Sequence, residues 1–363
     1  MLRNDVGRKN AFLTTEVKNV KELIDRLERN GVLEKEEFIF LLSNFGEKER
    51  EYAGNKARKI ATDFFGNDIY IRGLIEFTNY CKNDCYYCGI RKSNCNAQRY
   101  RLSKEQILDC CETGYQLGYR TFVLQGGEDG YYSDEMIVEL VSAIKKKFSD
   151  CAITLSIGEK SRESYKKFFD AGADRYLLRH ETANEEHYGK LHPKELSLSH
   201  RKQCLKNLRE IGYQVGCGFM VGSPYQNAEC LSEDLLFIHE LQPHMVGIGP
   251  FVPHLDTKFA KEPQGSLELT LFLLSLIRIM EKNILLPATT ALATIDPRGR
   301  EKGILAGANV VMPNLSPQNV REKYSLYDGK VCTGEEAAEC RNCLEERLNS
   351  IGYRTVIHRG DYV

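Results

Sequence analysis

Tryptophan is absent from the 363 residues, which decides nothing about the fold. Other absences exclude more. No run of about 18 apolar residues occurs, so no membrane-spanning helix is expected. Neither sign of charge is in excess: 50 Lys and Arg stand against 51 Asp and Glu, a net −1. A chain built to neutralise phosphates would carry a cationic surplus, so neither nucleic acid nor a membrane surface is an expected partner. The first ten residues, MLRNDVGRKN, lack the apolar core and small-residue cleavage site of a secretory signal. The 13 cysteines do not fall into a framework of regular pairs. That pattern argues for metal ligation in a reducing cytoplasm rather than for stapling.

What is present centres on Cys81-Lys-Asn-Asp-Cys85-Tyr-Tyr-Cys88. Three thiols spaced C-x3-C-x2-C can reach three corners of an iron–sulfur cube from one loop. Such cubes are usually held by four thiolates, so one iron would stay open to another ligand. A zinc site is the alternative, but zinc loops usually present C-x2-C with a second, distant pair. Tyr87 directly precedes the last cysteine, and C-x3-C-x-aromatic-C resembles the fingerprint of the radical S-adenosylmethionine (SAM) enzymes.

The length suits one large α/β barrel. Residues 16–66 read as three amphipathic helices, the first stopped by Gly31 and the third by Gly66. They are expected to close the bottom of the barrel. From residue 70, strand patterns at 70–78, 121–125, 152–158, 175–181, 214–221, 245–249, 285–291 and 309–313 alternate with helical ones. Eight βα units predict a complete (β/α)8 TIM barrel with its chemistry at the C-terminal strand ends, where the cysteine loop falls. The predicted division is 1–66 helical extension, 67–328 barrel and 329–363 short cysteine-containing tail.

Alternation along a strand puts Arg72, Leu74, Glu76 and Thr78 on one face, Thr154 and Ser156 on another, and Leu177, Arg179 and Glu181 on a third. Outward, these charges would press on apolar helices at a cost. They therefore point inward, either lining a polar cavity or forming a buried ion-pair network. The two arrangements are compatible.

Gln125-Gly126-Gly127-Glu128 closes strand two, where glycines allow close approach of backbone to ligand. Arg179-His180-Glu181-Thr182 ends strand four. Glu181 can accept both hydroxyls of a ribose, and Arg201 can fork onto a carboxylate; His180 reads as a structural histidine. Thr289 and Thr290 close strand seven and Met312 strand eight, with Tyr324 following; the threonines suit either an anchored polar substrate or strand propensity. Cys332, Cys340 and Cys343 form a second metal-like group, divided evenly between an auxiliary iron–sulfur cluster and a zinc or inert arrangement. Cys110, Cys111, Cys151, Cys204, Cys217 and Cys230 read as core fillers, and Cys95 is unassigned.

Together the strings IEFTNYCKNDCYYCGIRKSN, QGGEDGYY, ADRYLLRHETAN, MVGIGPFVPHLDT, PATTALAT and GANVVMPN resemble the HydE family of [FeFe]-hydrogenase maturases. The resemblance implies a [4Fe–4S] cluster on Cys81, Cys85 and Cys88, with SAM near Tyr87, Gln125, Gly126, Gly127, Glu128, Thr154, Ser156, Glu181 and Arg201. It implies a substrate cavity with Arg72, Arg179, Thr289, Thr290, Met312 and Tyr324, and a candidate [2Fe–2S] cluster on Cys332, Cys340 and Cys343. The implied reaction is reductive cleavage of SAM to a 5′-deoxyadenosyl radical that acts on a cysteine-bound iron carbonyl cyanide precursor of the H-cluster. Partner maturases HydG and HydF and a low-potential electron donor follow from the same resemblance. The alternatives are a reaction of the biotin synthase or methylornithine synthase type on a small amino-acid-like substrate, and a non-catalytic iron or zinc carrier.

Overall fold

The computed structural model describes residues 19–331 and 340–362. Eight parallel strands close the barrel. Strand one is split at Arg72 into β1 (Asp68–Ile71) and β2 (Gly73–Thr78). Next come β3 (Thr121–Gly126), β4 (Ala152–Ser156), β5 (Arg175–Leu177) and β6 (Gln214–Cys217). After β6 a short β7 (Met220–Val221) extends strand five, and β8 (Met245–Val246) is followed by β9 (Gly249–Pro250). β10 (Val310–Val311) is the eighth strand. The sheet order is β2-β3-β4-β5-β6-β8. Leu285 then bridges Met245, Pro287 bridges Val310, and β10 returns to β1 and through Asn314 to Leu74. The expected complete barrel is the observed one.

The helices start where short polar side chains cap them. Ser103, Ser133, Ser161, Ser197, Asn227 and Ser266 each accept a bond from the third amide of the helix they open, which opens α4 (Lys104–Gln116), α5 (Asp134–Lys147), α6 (Arg162–Asp170), α8 (Leu198–Ile211), α9 (Ala228–Leu241) and α10 (Leu267–Met280). Each cap contributes about 1 kcal/mol. Two short helices were not expected, α7 (Glu185–Leu191) and α11 (Thr290–Ile295). The second cuts strand seven short: Thr289 leaves the sheet as the helix N-cap instead of continuing to 291. Strand four likewise stops at Leu177, and Glu181 rejoins the sheet only through an isolated parallel bridge to Phe219.

The N-terminal helices α1 (Val20–Asn30), α2 (Lys35–Asn44) and α3 (Glu47–Phe65) do not close the bottom of the barrel, contrary to expectation. They pack on its flank, α3 and α1 against α10 and α2 against α9. The reason lies in α10, LELTLFLLSLIRIM, whose residues from Thr270 to Met280 are all buried. A helix apolar all round needs a second layer outside it.

The bottom is closed by the C-terminus. After a helix at Arg341–Asn349, β11 (Arg354–Val356) pairs in parallel with β1. The chain then crosses beneath the strands. Thr121 Oγ1 and Arg175 Nη2 donate to the Arg359 carbonyl at 2.7 and 2.9 Å, and Asp361 pairs with Arg175 at 2.5 Å. Gly360 makes this crossing with φ +60°, where a Cβ would lie 2.7 Å from the Tyr70 ring. Among the described residues no helix is long and apolar enough to cross a membrane.

Candidate active site

β2 delivers the chain into the cysteine loop at the upper mouth. Arg99 knits the loop, its guanidinium donating to the carbonyls of Asn79, Ile90, Arg91 and Asn94 at 2.5 to 3.2 Å. Two glycines let the neighbours close in. A Cβ on Gly127 would stand 2.2 Å from the Tyr80 carbonyl oxygen, and one on Gly89 would stand 2.2 Å from that of Ser325. Thus the end of β3 and the segment after β10 both seat directly on the loop.

Cys81, Cys85 and Cys88 open onto one cavity of about 360 Å³ inside the barrel. That volume is within the usual range for a small-molecule site. Burial pushes all three thiols up, Cys88 to about 12, and the charges the cysteines place on one another push Cys85 and Cys88 further. Thiolates grouped this way are costly unless cations neutralise them, and a bound metal centre deprotonates its thiols outright. The donor set therefore fits an iron–sulfur cube. Among the described residues no group of three or more His, Cys, Asp or Glu side chains is gathered closely enough for a single metal ion.

Beside the thiols stand Tyr87, Gln125, Gly126, Gly127 and Glu128. Glu128 is buried; one carboxylate oxygen accepts from the Glu159 amide at 3.0 Å, and the other lies 3.1 Å from Lys82 Nζ. Arg201 enters from α8 with Nε on Glu159 at 2.5 Å and Nη1 on the Arg179 carbonyl at 3.0 Å. Burial works against its charge, but Glu159, together with Tyr188, Glu128 and Tyr87, outweighs that and raises its pKa, so the guanidinium is held cationic and aimed. The Tyr87 hydroxyl meets His192 Nε2 at 3.2 Å.

Across the cavity lie Arg179, Glu181, Thr289, Thr290, Met312 and Tyr324. Arg179 Nε and Thr289 Oγ1 are buried there without a hydrogen-bond partner, and Glu181 Oε2, also without a hydrogen bond, stands 3.4 Å from Arg179 Nη2 as an ion pair. Buried polar atoms left unpaired are costly, so these mark where a ligand's polar groups belong. An adenosine with an amino-acid tail offers such groups, and the set fits SAM. Leu74 and Glu76 also line this space, as the alternation along β2 predicts.

Three expectations do not hold in this cavity. Arg72 lies beneath it, fully buried, with Nη2 on the Gly360 carbonyl at 3.1 Å and Nη1 on the Met245 sulfur at 3.0 Å. It is four residues below Glu76, roughly 13 Å at the rise of a strand. Thr154 shares that lower space with Arg72. Ser156 pairs in register with Gln125 but lines neither space. In the tail, Cys340 and Cys343 are bonded to each other, and Cys332 lies outside the described residues. The six cysteines read as core fillers are buried, and Cys95 is exposed.

Sequence reasoning missed Glu159, Lys82, His192, Arg99 and Lys330. None carries a motif; each is defined by the partner the fold brings to it.

A closed parallel barrel with three spaced cysteines opening into its upper cavity defines a radical SAM enzyme, and residues 75–238 match the Radical SAM superfamily. The [FeFe] hydrogenase maturase subunit HydE of Thermotoga maritima is 43% identical over 332 residues, 92% of this chain and 94% of that protein. The 3-methylornithine synthase of Methanosarcina acetivorans is 30% identical over 86% of this chain and 87% of that one. The crystal structure of methylornithine synthase (PylB) superposes with a TM-score of 0.80 at 27% identity, over 92% of this chain and 97% of that one. The chain belongs to the HydE family within the radical SAM superfamily.

Proposed function

We propose that this protein acts in assembly of the [FeFe]-hydrogenase H-cluster, on a cysteine-bound iron carbonyl cyanide precursor. The [4Fe–4S] cluster and SAM supply one electron and a 5′-deoxyadenosyl radical when bound; the protein supplies binding, orientation and shelter. Cys81, Cys85 and Cys88 hold the cluster. The Gly126-Gly127-Glu128 turn takes the methionyl ammonium, and Arg201, braced by Glu159, forks onto the methionyl carboxylate. Glu181 accepts the ribose hydroxyls. Tyr87 and Gln125 flank the cofactor.

On the far side, Arg179 and Lys330 are the cations in reach of an anionic complex, and Thr289 and Thr290 offer hydroxyls. The observation that carries this reading is the convergence of the three thiols with the unpartnered Arg179 Nε and Thr289 Oγ1 in a single walled space. The cofactor and the substrate would share it, away from solvent that would quench a radical. HydG as supplier of the complex, HydF as recipient and a low-potential electron donor complete the proposal.

The test is to load the protein anaerobically with iron and sulfide and add SAM, reductant and the complex made by HydG. A nucleoside product that appears only with that complex, and active hydrogenase downstream, are expected. Formation of 3-methylornithine from an amino acid instead would move the enzyme to the other branch. Absence of 5′-deoxyadenosine under every condition would leave a metal carrier.

A further inference from the structure

The segment that carries Glu181 is under conformational load. Glu181 has φ +65°, in the left-handed region. Such a conformation costs a side-chain-bearing residue roughly 1–3 kcal/mol and persists only where the surroundings impose it. Part of the restraint is backbone: the Glu181 amide donates to the Gly218 carbonyl at 3.0 Å, and the Met220 amide to the Glu181 carbonyl at 3.3 Å. Those bonds fix the peptide planes on one side only.

The other side is held by side chains that the sequence motif leaves unexplained. His180 is completely buried; its Nδ1 accepts from the Gly218 amide at 3.4 Å, and its Nε2 lies 3.2 Å from Asp234 Oδ1. Asp234 reaches in from α9, also completely buried, and the same Oδ1 accepts from the Ala183 amide at 2.5 Å. One carboxyl oxygen therefore hydrogen-bonds the residue two after Glu181 and lies in close contact, without hydrogen-bond geometry, with the ring of the residue before it. Lys202 Nζ adds a bond to the Ala183 carbonyl at 3.0 Å, and His187 Nδ1 meets Thr182 Oγ1 at 3.0 Å.

Packing alone does not call for this pair. Replacing a buried polar pair by apolar residues of like volume is often neutral or stabilising. Burial drives the Asp234 carboxyl up and the His180 ring down in pKa, so the fold retains both at the expense of their charge. Their common feature is what they flank.

We propose that Asp234 is a positioning residue: through His180 and the Ala183 amide it holds Glu181 in its left-handed conformation, with the carboxylate turned into the cavity toward the ribose of SAM. The inference rests on the assignment of Glu181 to the ribose and goes beyond it.

The full chain, reconstituted anaerobically, is titrated with SAM while the electron paramagnetic resonance of the reduced cluster is followed. Asp234→Ala should weaken SAM binding about tenfold, in the range found when a supporting group behind a ligand is removed. Asp234→Asn keeps the acceptor and should restore affinity to within about twofold of the parent, well short of that loss. In a Glu181→Gln background, Asp234→Ala should add little, because the two act as one unit. Faster hydrogen exchange at the Ala183 amide should accompany the loss. If Asp234→Ala fails to load its cluster, His180→Phe carries the same expectations. An unchanged affinity, or equal losses with and without the Glu181 carboxylate, overturns the inference and leaves the cofactor reading intact. A parent protein whose signal does not respond to SAM overturns both.

Discussion

Lys330 and Glu76 meet inside the barrel at 2.5 Å although 254 positions separate them in the chain. Asn314 Nδ2 donates to the other carboxylate oxygen at 2.9 Å, and Lys330 also donates to the Tyr324 carbonyl at 3.0 Å. The lysine sits on a strap that follows β10 and crosses the mouth, bound to the cysteine loop where the Gly89 amide donates to the Leu326 carbonyl at 2.8 Å. The side chains are only 8% and 1% exposed, so this pair is an interior one.

Lys330→Met should therefore destabilise the protein by about 3 kcal/mol, because Glu76 is left as a buried charge with one neutral partner. Adding Glu76→Gln should recover much of that loss. Denaturant melts of the single and double variants measure both. A double variant no more stable than the single would place the cost elsewhere.

The two cysteine groups should separate cleanly. Cys85→Ala should abolish the cubane signal and SAM cleavage, because two thiols cannot hold three corners. Cys340→Ala should spare both. Iron content, electron paramagnetic resonance and 5′-deoxyadenosine yield decide; loss of SAM cleavage on the tail substitution would reverse the ranking of the two sites.

Arg179→Ala should weaken SAM binding by no more than about fivefold, because its partly exposed ion pair with Glu181 Oε2 at 3.4 Å contributes about 1 kcal/mol or less, while the product formed with the HydG-derived complex is lost. Its Nη2 donates to the Phe219 carbonyl at 2.5 Å and stands 3.4 Å from Glu181 Oε2, so the arm is braced while Nε stays buried without a hydrogen-bond partner. Product analysis beside a SAM titration tests this. Retained maturation would move the substrate away from Arg179.

The tail under the barrel should be acid-labile. Burial works against the Asp361 carboxylate, but Arg175 and then Arg359 outweigh it and hold its pKa below the ordinary 3.8. A lowered folded-state pKa stabilises above the unfolded value and loses that contribution as pH falls through the folded one. Asp361→Asn should therefore cost roughly 1–2 kcal/mol near neutrality, between exposed and buried pairs. The gap to the parent should close below pH 3.8. Melts of the metal-free chain across pH measure this; a gap that persists in acid would assign the effect to packing.

Much of this was legible in the residues themselves. Cys81, Cys85 and Cys88 are close in the chain, and a loop that short keeps them close in space whatever the rest does. Strand alternation placed Leu74 and Glu76 inward, because a parity of two depends only on local backbone geometry, whereas Arg179 and Glu181 reach the same cavity from beyond the end of β5. Helix starts at Ser103, Ser133, Ser161 and Ser197 follow from local capping. The string Arg179-His-Glu-Thr marked its segment as special without saying how it is held.

Depth and partnership were not local properties, and only the closed barrel decided them. Parity told that Arg72 faces in but not that it lies below the cavity, roofed away from it and covered by Gly360. Nothing near Lys330 announces Glu76, and nothing near Asp234 announces Ala183. An all-round apolar α10 demanded a cover, but whether the N-terminal helices served there or under the strands depended on the tail having already filled the lower mouth. Pairings between residues fifty or more positions apart are set by strand order and closure, which no short stretch of sequence contains.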